Sequence, residues 1–94
     1  MKKENALKSI IIIGKSGSGK TFLGDALEAA YKKDGLKVKR RFSGDGLWSV
    51  AATEYEAKKE GADFIIYELL ELRHIAKACR RRHSLFRIIR TGQR

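Results

Sequence analysis

Gly14-Lys15-Ser16-Gly17-Ser18-Gly19-Lys20-Thr21 follows directly on the apolar run Ile10-Ile11-Ile12-Ile13 and satisfies G-x-x-x-x-G-K-[ST] at every specified position. A phosphate chain offers many acceptor oxygens and no preferred side-chain partner. It is therefore best surrounded by main-chain N–H groups, which only a chain freed of Cβ atoms can bring close enough. Gly14, Gly17 and Gly19 supply that freedom, with Lys15, Ser16, Ser18 and Phe22 as the remaining candidate contacts. The Lys20 ammonium is expected to reach the β- and γ-phosphates, Thr21 to offer its hydroxyl to Mg²⁺, and the helix that opens here to add its dipole.

The flanks of the loop decide between this reading and a glycine-rich turn. Four consecutive isoleucines read as a buried parallel strand. Beyond the loop, Phe22, Leu23, Ala26, Leu27, Ala30 and Tyr31 recur at helical spacing until Asp34-Gly35 stops the helix. Leu36-Lys37-Val38-Lys39-Arg40-Arg41-Phe42 alternates apolar residues at 36, 38 and 42 with cations, a strand with one polar face suited to a sheet edge. Ser43-Gly44-Asp45-Gly46 reads as a turn, with Asp45 as N-cap of a second helix that carries Leu47, Val50, Ala51 and Tyr55 inward and ends at Gly61. Trp48 fits the core better than a base-stacking platform, because Trp is highly buried on average. Phe64-Ile65-Ile66-Tyr67, flanked by Asp63 and Glu68, reads as a central strand. A third helix follows from Leu69 to about His83, with Cys79 on its packed face, and Leu85–Arg90 forms the last strand. Strands alternating with helices imply one α/β domain over residues 1–94, a small three-layer core whose mainly parallel sheet of about four strands has helices on both faces.

The 94 residues carry a net charge of +10, and that charge is unevenly spread. Residues 1–71 hold thirteen Lys/Arg against eleven Asp/Glu, net +2, whereas residues 72–94 hold eight Lys/Arg and no acid, net +8. Such a segment favours polyanions, and Arg73, Lys77, Arg80, Arg81 and Arg82 on the outer face of the third helix are the candidate nucleic-acid contacts. No run is long enough for a membrane span and none resembles a signal peptide, so a cytoplasmic setting is expected. A single cysteine fits it.

In a parallel sheet, ligands bind beyond the carboxyl ends of the strands, so an acid matters only at that end. Glu68 sits there and Asp63 does not. Glu68 is thus the candidate for orienting an attacking water or for completing the metal shell, and Gln93, after the fourth strand, for donating to a γ-phosphate or a water. His74 and His83 lack metal-ligand spacing.

Taken together, the loop Gly14–Thr21, the apolar strand ending in Glu68, the helix closing with Arg80, Arg81, Arg82 and His83, and the strand ending in Thr91-Gly92-Gln93-Arg94 resemble the additional-strand P-loop ATPases. The resemblance is strongest to DNA pumps of the FtsK/HerA class and to viral packaging or assembly ATPases similar to zonula occludens toxin. It implies ATP and Mg²⁺ as ligands, Lys20, Glu68 and Gln93 as catalytic residues, Thr21 and Glu68 at the metal, nucleic acid as a partner, and a homo-oligomer, in a chain that could be virus-encoded. Tyr67 stands where that family has an aspartate, and this leaves the metal shell one carboxylate short. Two alternatives stay open, a small P-loop kinase and a non-catalytic nucleotide-binding regulator of a protein partner.

Overall fold

The computed structural model describes residues 8–15, 17–43, 48–70 and 85–91. They form β1 (Lys8–Ile13), α1 (Lys20–Lys33), β2 (Val38–Phe42), α2 (Val50–Glu60), β3 (Phe64–Leu69) and β4 (Leu85–Arg90). The four strands make one sheet in the order β2-β3-β1-β4, and every pairing is parallel. β1 and β3, the two most apolar strands, occupy the centre. The strand rich in cations, β2, lies at an edge as its composition predicts. No helix among the described residues is long and apolar enough to cross a membrane.

Alternation along the strands sorts the core into two layers. Ile11, Ile13, Ile65, Tyr67 and Leu69 face α2 and pack with Val50 and Ala57. Ile10, Ile12 and Ile66 face the other way and meet Leu23, Leu27 and Tyr31 of α1, together with Val38 and Ile89. Each fully buried isoleucine contributes roughly 1.5–3 kcal/mol through the apolar surface it removes from water. Trp48 is a core residue: it packs against the α2-side cluster, its ring stacks on Tyr67 with centroids 5.7 Å apart, and its indole N–H donates to the Phe42 carbonyl at 3.1 Å.

Several expected details change. In α2 the buried positions are Val50, Thr53, Glu54 and Ala57, while Ala51 is exposed and Tyr55 is 66% exposed. The helix begins later than expected, capped by Ser49, whose hydroxyl accepts from the Ala52 N–H at 3.0 Å. That start sets the phase at 50, 53, 54 and 57. In α1, Leu23, Leu27 and Tyr31 turn inward as expected, but Phe22, Ala26 and Ala30 are exposed. β2 carries polar groups on both faces. Lys39 and Arg41 reach α2, at Glu60 and Glu56, whereas Arg40 reaches α1. Both helices stop where the glycines indicate: α1 ends at Asp34 before Gly35, and α2 at Gly61, whose φ of 78° suits a residue without a Cβ.

The strand order β2-β3-β1-β4 places β2 and β4 on opposite sides of the adjacent pair β3 and β1, the arrangement that in open parallel sheets leaves a crevice at the carboxyl ends of the central strands.

Candidate functional site

The crevice is a cleft of about 620 Å³ lined by Gly17, Gly19, Lys20, Thr21, Phe22, Phe42, Ser43, Glu68 and Leu70. One wall is the loop between β1 and α1. Gly17 and Gly19 both adopt positive φ, 80° and 98°, which a β-carbon would strain. Gly14 is needed for a different reason. A β-carbon there would lie 2.1 Å from the Thr91 hydroxyl and 2.4 Å from that of Ser18. Those two hydroxyls are hydrogen-bonded at 2.6 Å and join the loop to the end of β4. On the other side, the Gly14 N–H donates to the Leu69 carbonyl at 3.1 Å.

Lys20 is the first residue of α1 and folds back over the loop. Its ammonium donates to the carbonyls of Gly14 at 2.7 Å and Lys15 at 2.9 Å. A cation and the amides of the first helical turn, which a helix leaves without internal partners, thus face one space. One residue on, the Thr21 hydroxyl donates to Oε1 of Glu68 at 3.2 Å and bridges α1 to β3. The loop, Lys20, Thr21 and Glu68 are therefore brought together as the sequence predicts. Lys15 is exposed at the loop's start, Ser18 is turned toward β4, and Phe22 stands 79% exposed at the rim.

Glu68 is 2% exposed and far from unattended. Its Oε2 accepts from Arg40 Nε at 3.1 Å and from Arg40 Nη2 as well. Arg40 Nη1 continues to Asp25 at 2.7 Å and Glu28 at 2.9 Å on α1. Burial alone would lower the guanidinium's pKa, but its bonds to Asp25, Glu28 and Glu68 outweigh that and hold it above its ordinary range. With two donors on Oε2 and one on Oε1, a carboxylate has one acceptor position left, on the oxygen that Thr21 already holds. Tyr67 plays no part in this cleft. Strand alternation points it at α2, where it is buried against Trp48.

Arg40 and Gly24 are neighbours of Glu68 that the sequence reading misses. Gly24 is the buried residue of α1, and a β-carbon on it would come 2.6 Å from Glu68 Oε2 and 2.8 Å from Arg40 Nη2. Both left a trace in the sequence. Arg40 falls in phase with Val38 and Phe42 on a strand whose other cations are out of phase, and Gly24 interrupts a helix in phase with Leu27 and Tyr31. Phe42, Ser43 and Leu70 complete the far wall. The Ser43 N–H donates to the Glu68 carbonyl at 3.0 Å, and its hydroxyl accepts from the Leu70 N–H at 3.1 Å.

The remaining candidates, Ser16, Arg73, Lys77, Arg80, Arg81, Arg82 and Gln93, lie outside the described residues, as do Asp45, Leu47, His74, Cys79, His83 and the third helix. Comparison with family models, with curated proteins and with solved structures finds no match for this chain.

Proposed function

We propose that this chain binds a nucleoside triphosphate, ATP in the first instance, together with Mg²⁺. The observation that carries the reading is the Thr21–Glu68 hydrogen bond. It sets a hydroxyl and a carboxylate on the wall of the same cleft as Lys20 and the glycine loop, the grouping expected of a phosphate-binding loop with its metal. The loop amides and Lys20 would hold the phosphates. The Thr21 oxygen and the open position on Glu68 Oε1 are hard oxygen donors of the kind Mg²⁺ accepts, and this ion takes few protein ligands beside phosphates and waters. Among the described residues that line the cleft Glu68 is the one acid, and Thr21 is the hydroxyl bonded to it. When bound, the ion supplies charge neutralisation at the β- and γ-phosphates.

Of the two roles expected for Glu68, its contacts favour the metal shell. A general base needs a free oxygen within reach of the proton it takes, and three of the four positions here are filled. With Glu68 read as a metal ligand, orienting an attacking water calls on another group, with Gln93 the candidate for donating to it. The basic segment 72–94 extends the proposal to nucleic acid, bound through phosphates.

A second reading, phosphoryl transfer to a small acceptor, is favoured by the extent of the cleft, which continues past the loop to Phe42, Ser43 and Leu70 and leaves more room for a second substrate than the length suggests.

The test is calorimetric titration of ATP and GTP with Mg²⁺ into wild type and Lys20→Ala, with folding checked by circular dichroism. Lys20 points into the cleft, so the variant should fold and lose nucleotide affinity by at least about tenfold, the equivalent of one charge-assisted hydrogen bond of about 1.5–3 kcal/mol. Equal affinity in the folded variant refutes the reading. Phosphate release with and without DNA then separates turnover from binding.

A further inference from the structure

Resting on the nucleotide reading, we propose that Arg40 is the positioning residue for the magnesium half of the site: its guanidinium saturates one oxygen of Glu68, aims the other at Thr21, and so sets how strongly Mg²⁺ promotes nucleotide binding. Arg40 does not line the cleft and acts only through Glu68.

Three features support this beyond a strap between β2 and α1. The first is the division of the carboxylate. Both N–H groups that Arg40 directs at Glu68 go to Oε2, while Thr21 takes Oε1. Two donors from one planar fork pin Oε2 in position, and with that oxygen held the Thr21 bond to Oε1 fixes the rotation of the carboxylate. Its second oxygen therefore meets Thr21 at a set angle. The second feature is the cleared space. α1 presents Gly24 at the point of contact, and any larger residue would intrude on both partners. A strap needing only Asp25 and Glu28 would require no such clearance.

The third is charge. Arg40 is shared by Asp25, Glu28 and Glu68, so one cation faces three carboxylates and the cluster has net charge −2 beside Thr21. Among the described residues Lys20 is the cation that lines the cleft, and its ammonium is turned to the loop carbonyls. The cluster attracts a divalent ion, while Arg40 keeps Glu68 from collapsing onto it as a chelating group. Side chains behind a metal ligand commonly decide metal affinity in this way.

The experiment measures ATP affinity by calorimetry in EDTA and across a Mg²⁺ titration, for wild type, Arg40→Lys, Arg40→Gln and the pair Asp25→Asn/Glu28→Gln. Lysine keeps the charge but cannot place two N–H groups on one oxygen while reaching α1. The Mg²⁺ midpoint should rise about 10–100-fold in Arg40→Lys, the usual range for loss of a supporting contact, with affinity in EDTA unchanged. Arg40→Gln should behave likewise and decides the matter where Arg40→Lys is unfolded. The Asp25/Glu28 pair removes the strap and two charges but leaves Glu68 held, so it should melt at a lower temperature and raise the midpoint by clearly less than Arg40→Lys does. A wild-type midpoint in a folded Arg40 variant overturns the proposal, as does an equal rise in the Asp25/Glu28 pair. Failure of wild type to bind ATP at all overturns the nucleotide reading and this inference with it. Binding with a normal Mg²⁺ response in Arg40→Lys overturns this one alone.

Discussion

Replacing glycine with alanine inside a helix ordinarily stabilises a protein by about 1 kcal/mol, and Gly24→Ala should do the opposite. The new methyl group would be built 2.6 Å from Glu68 Oε2, 2.8 Å from Arg40 Nη2 and 3.2 Å from Glu68 Cδ. None of these atoms is the loose end of a surface chain. Glu68 is 2% exposed and held by Thr21 as well as Arg40, and Arg40 is anchored in turn at Asp25 and Glu28. If the pair stays together, α1 must move off the sheet, an overpacking cost of about 1–3 kcal/mol. If it separates, a buried charge loses its partner, at about 3–5 kcal/mol. Subtracting the helical gain leaves a net loss of about 0–2 kcal/mol if the pair stays together and about 2–4 kcal/mol if it separates. For a chain of this size each 1 kcal/mol lost lowers Tm by about 4–8 °C. Thermal and urea melts of wild type and Gly24→Ala read this directly, with Ala26→Gly on the exposed face as the control that should lose the ordinary glycine penalty of about 1 kcal/mol. An alanine variant more stable than wild type would show that α1 does not bear on the ion pair, and would remove the clearance argument from the role of Arg40.

Acid should weaken the attachment of β2 to α2. Hydrogen bonds from Arg41 and then Lys39 hold the Glu56 carboxyl below its ordinary value of 4.5. A depressed carboxylate contributes stability that is present above 4.5 and lost as pH falls through the folded value, so Glu56→Gln should melt below wild type at neutral pH and converge with it on acidification. A gap that persists in acid would place the effect elsewhere. In the basic segment, Arg80→Ala, Arg81→Ala and Arg82→Ala together should reduce the slope of log DNA affinity against log salt by roughly two to three units. Unchanged affinity at low salt would remove those arginines from the interface.

Much of the framework was legible because the signals were local. Ile10–Ile13 and Phe64–Tyr67 read as central strands, Leu36–Phe42 as an edge, and Gly35 and Gly61 as helix ends, each from composition and φ preferences confined to one segment. Where the reading failed, two local signals competed. Asp45 and Ser49 are both good N-caps, and choosing Asp45 shifted the phase of α2 so that Tyr55 fell inward instead of Glu54. Phe22 and Ala26 belong to the apolar helical pattern, yet the stripe that faces the sheet runs through Leu23, Gly24, Leu27 and Tyr31. Burial in α1 follows the helix's approach to Glu68 and not its hydropathy.

The site divides along the same line. The loop, Lys20 and Thr21 are contiguous and could be read as one unit, and Glu68 could be placed by the carboxyl-end rule. What Glu68 does depended on a neighbour 28 residues away in sequence. In the register, Arg40 pairs with Ile66 and Phe42 with Glu68, so Arg40 meets the carboxylate as a diagonal neighbour on one face, a contact that exists only once β2 is known to lie beside β3. Pleat then settles the question raised by Tyr67. Adjacent residues of a strand point to opposite faces, so of the two positions at the end of β3 only one can face Thr21, and that one is Glu68. A tyrosine in place of an acid at position 67 therefore removes nothing from the face that Thr21 and Glu68 share. It stacks on Trp48 and adds to the core that holds β3 in place. The scarce resource in this cleft is a carboxylate oxygen that no other group already holds, and Arg40 is the residue that makes it scarce.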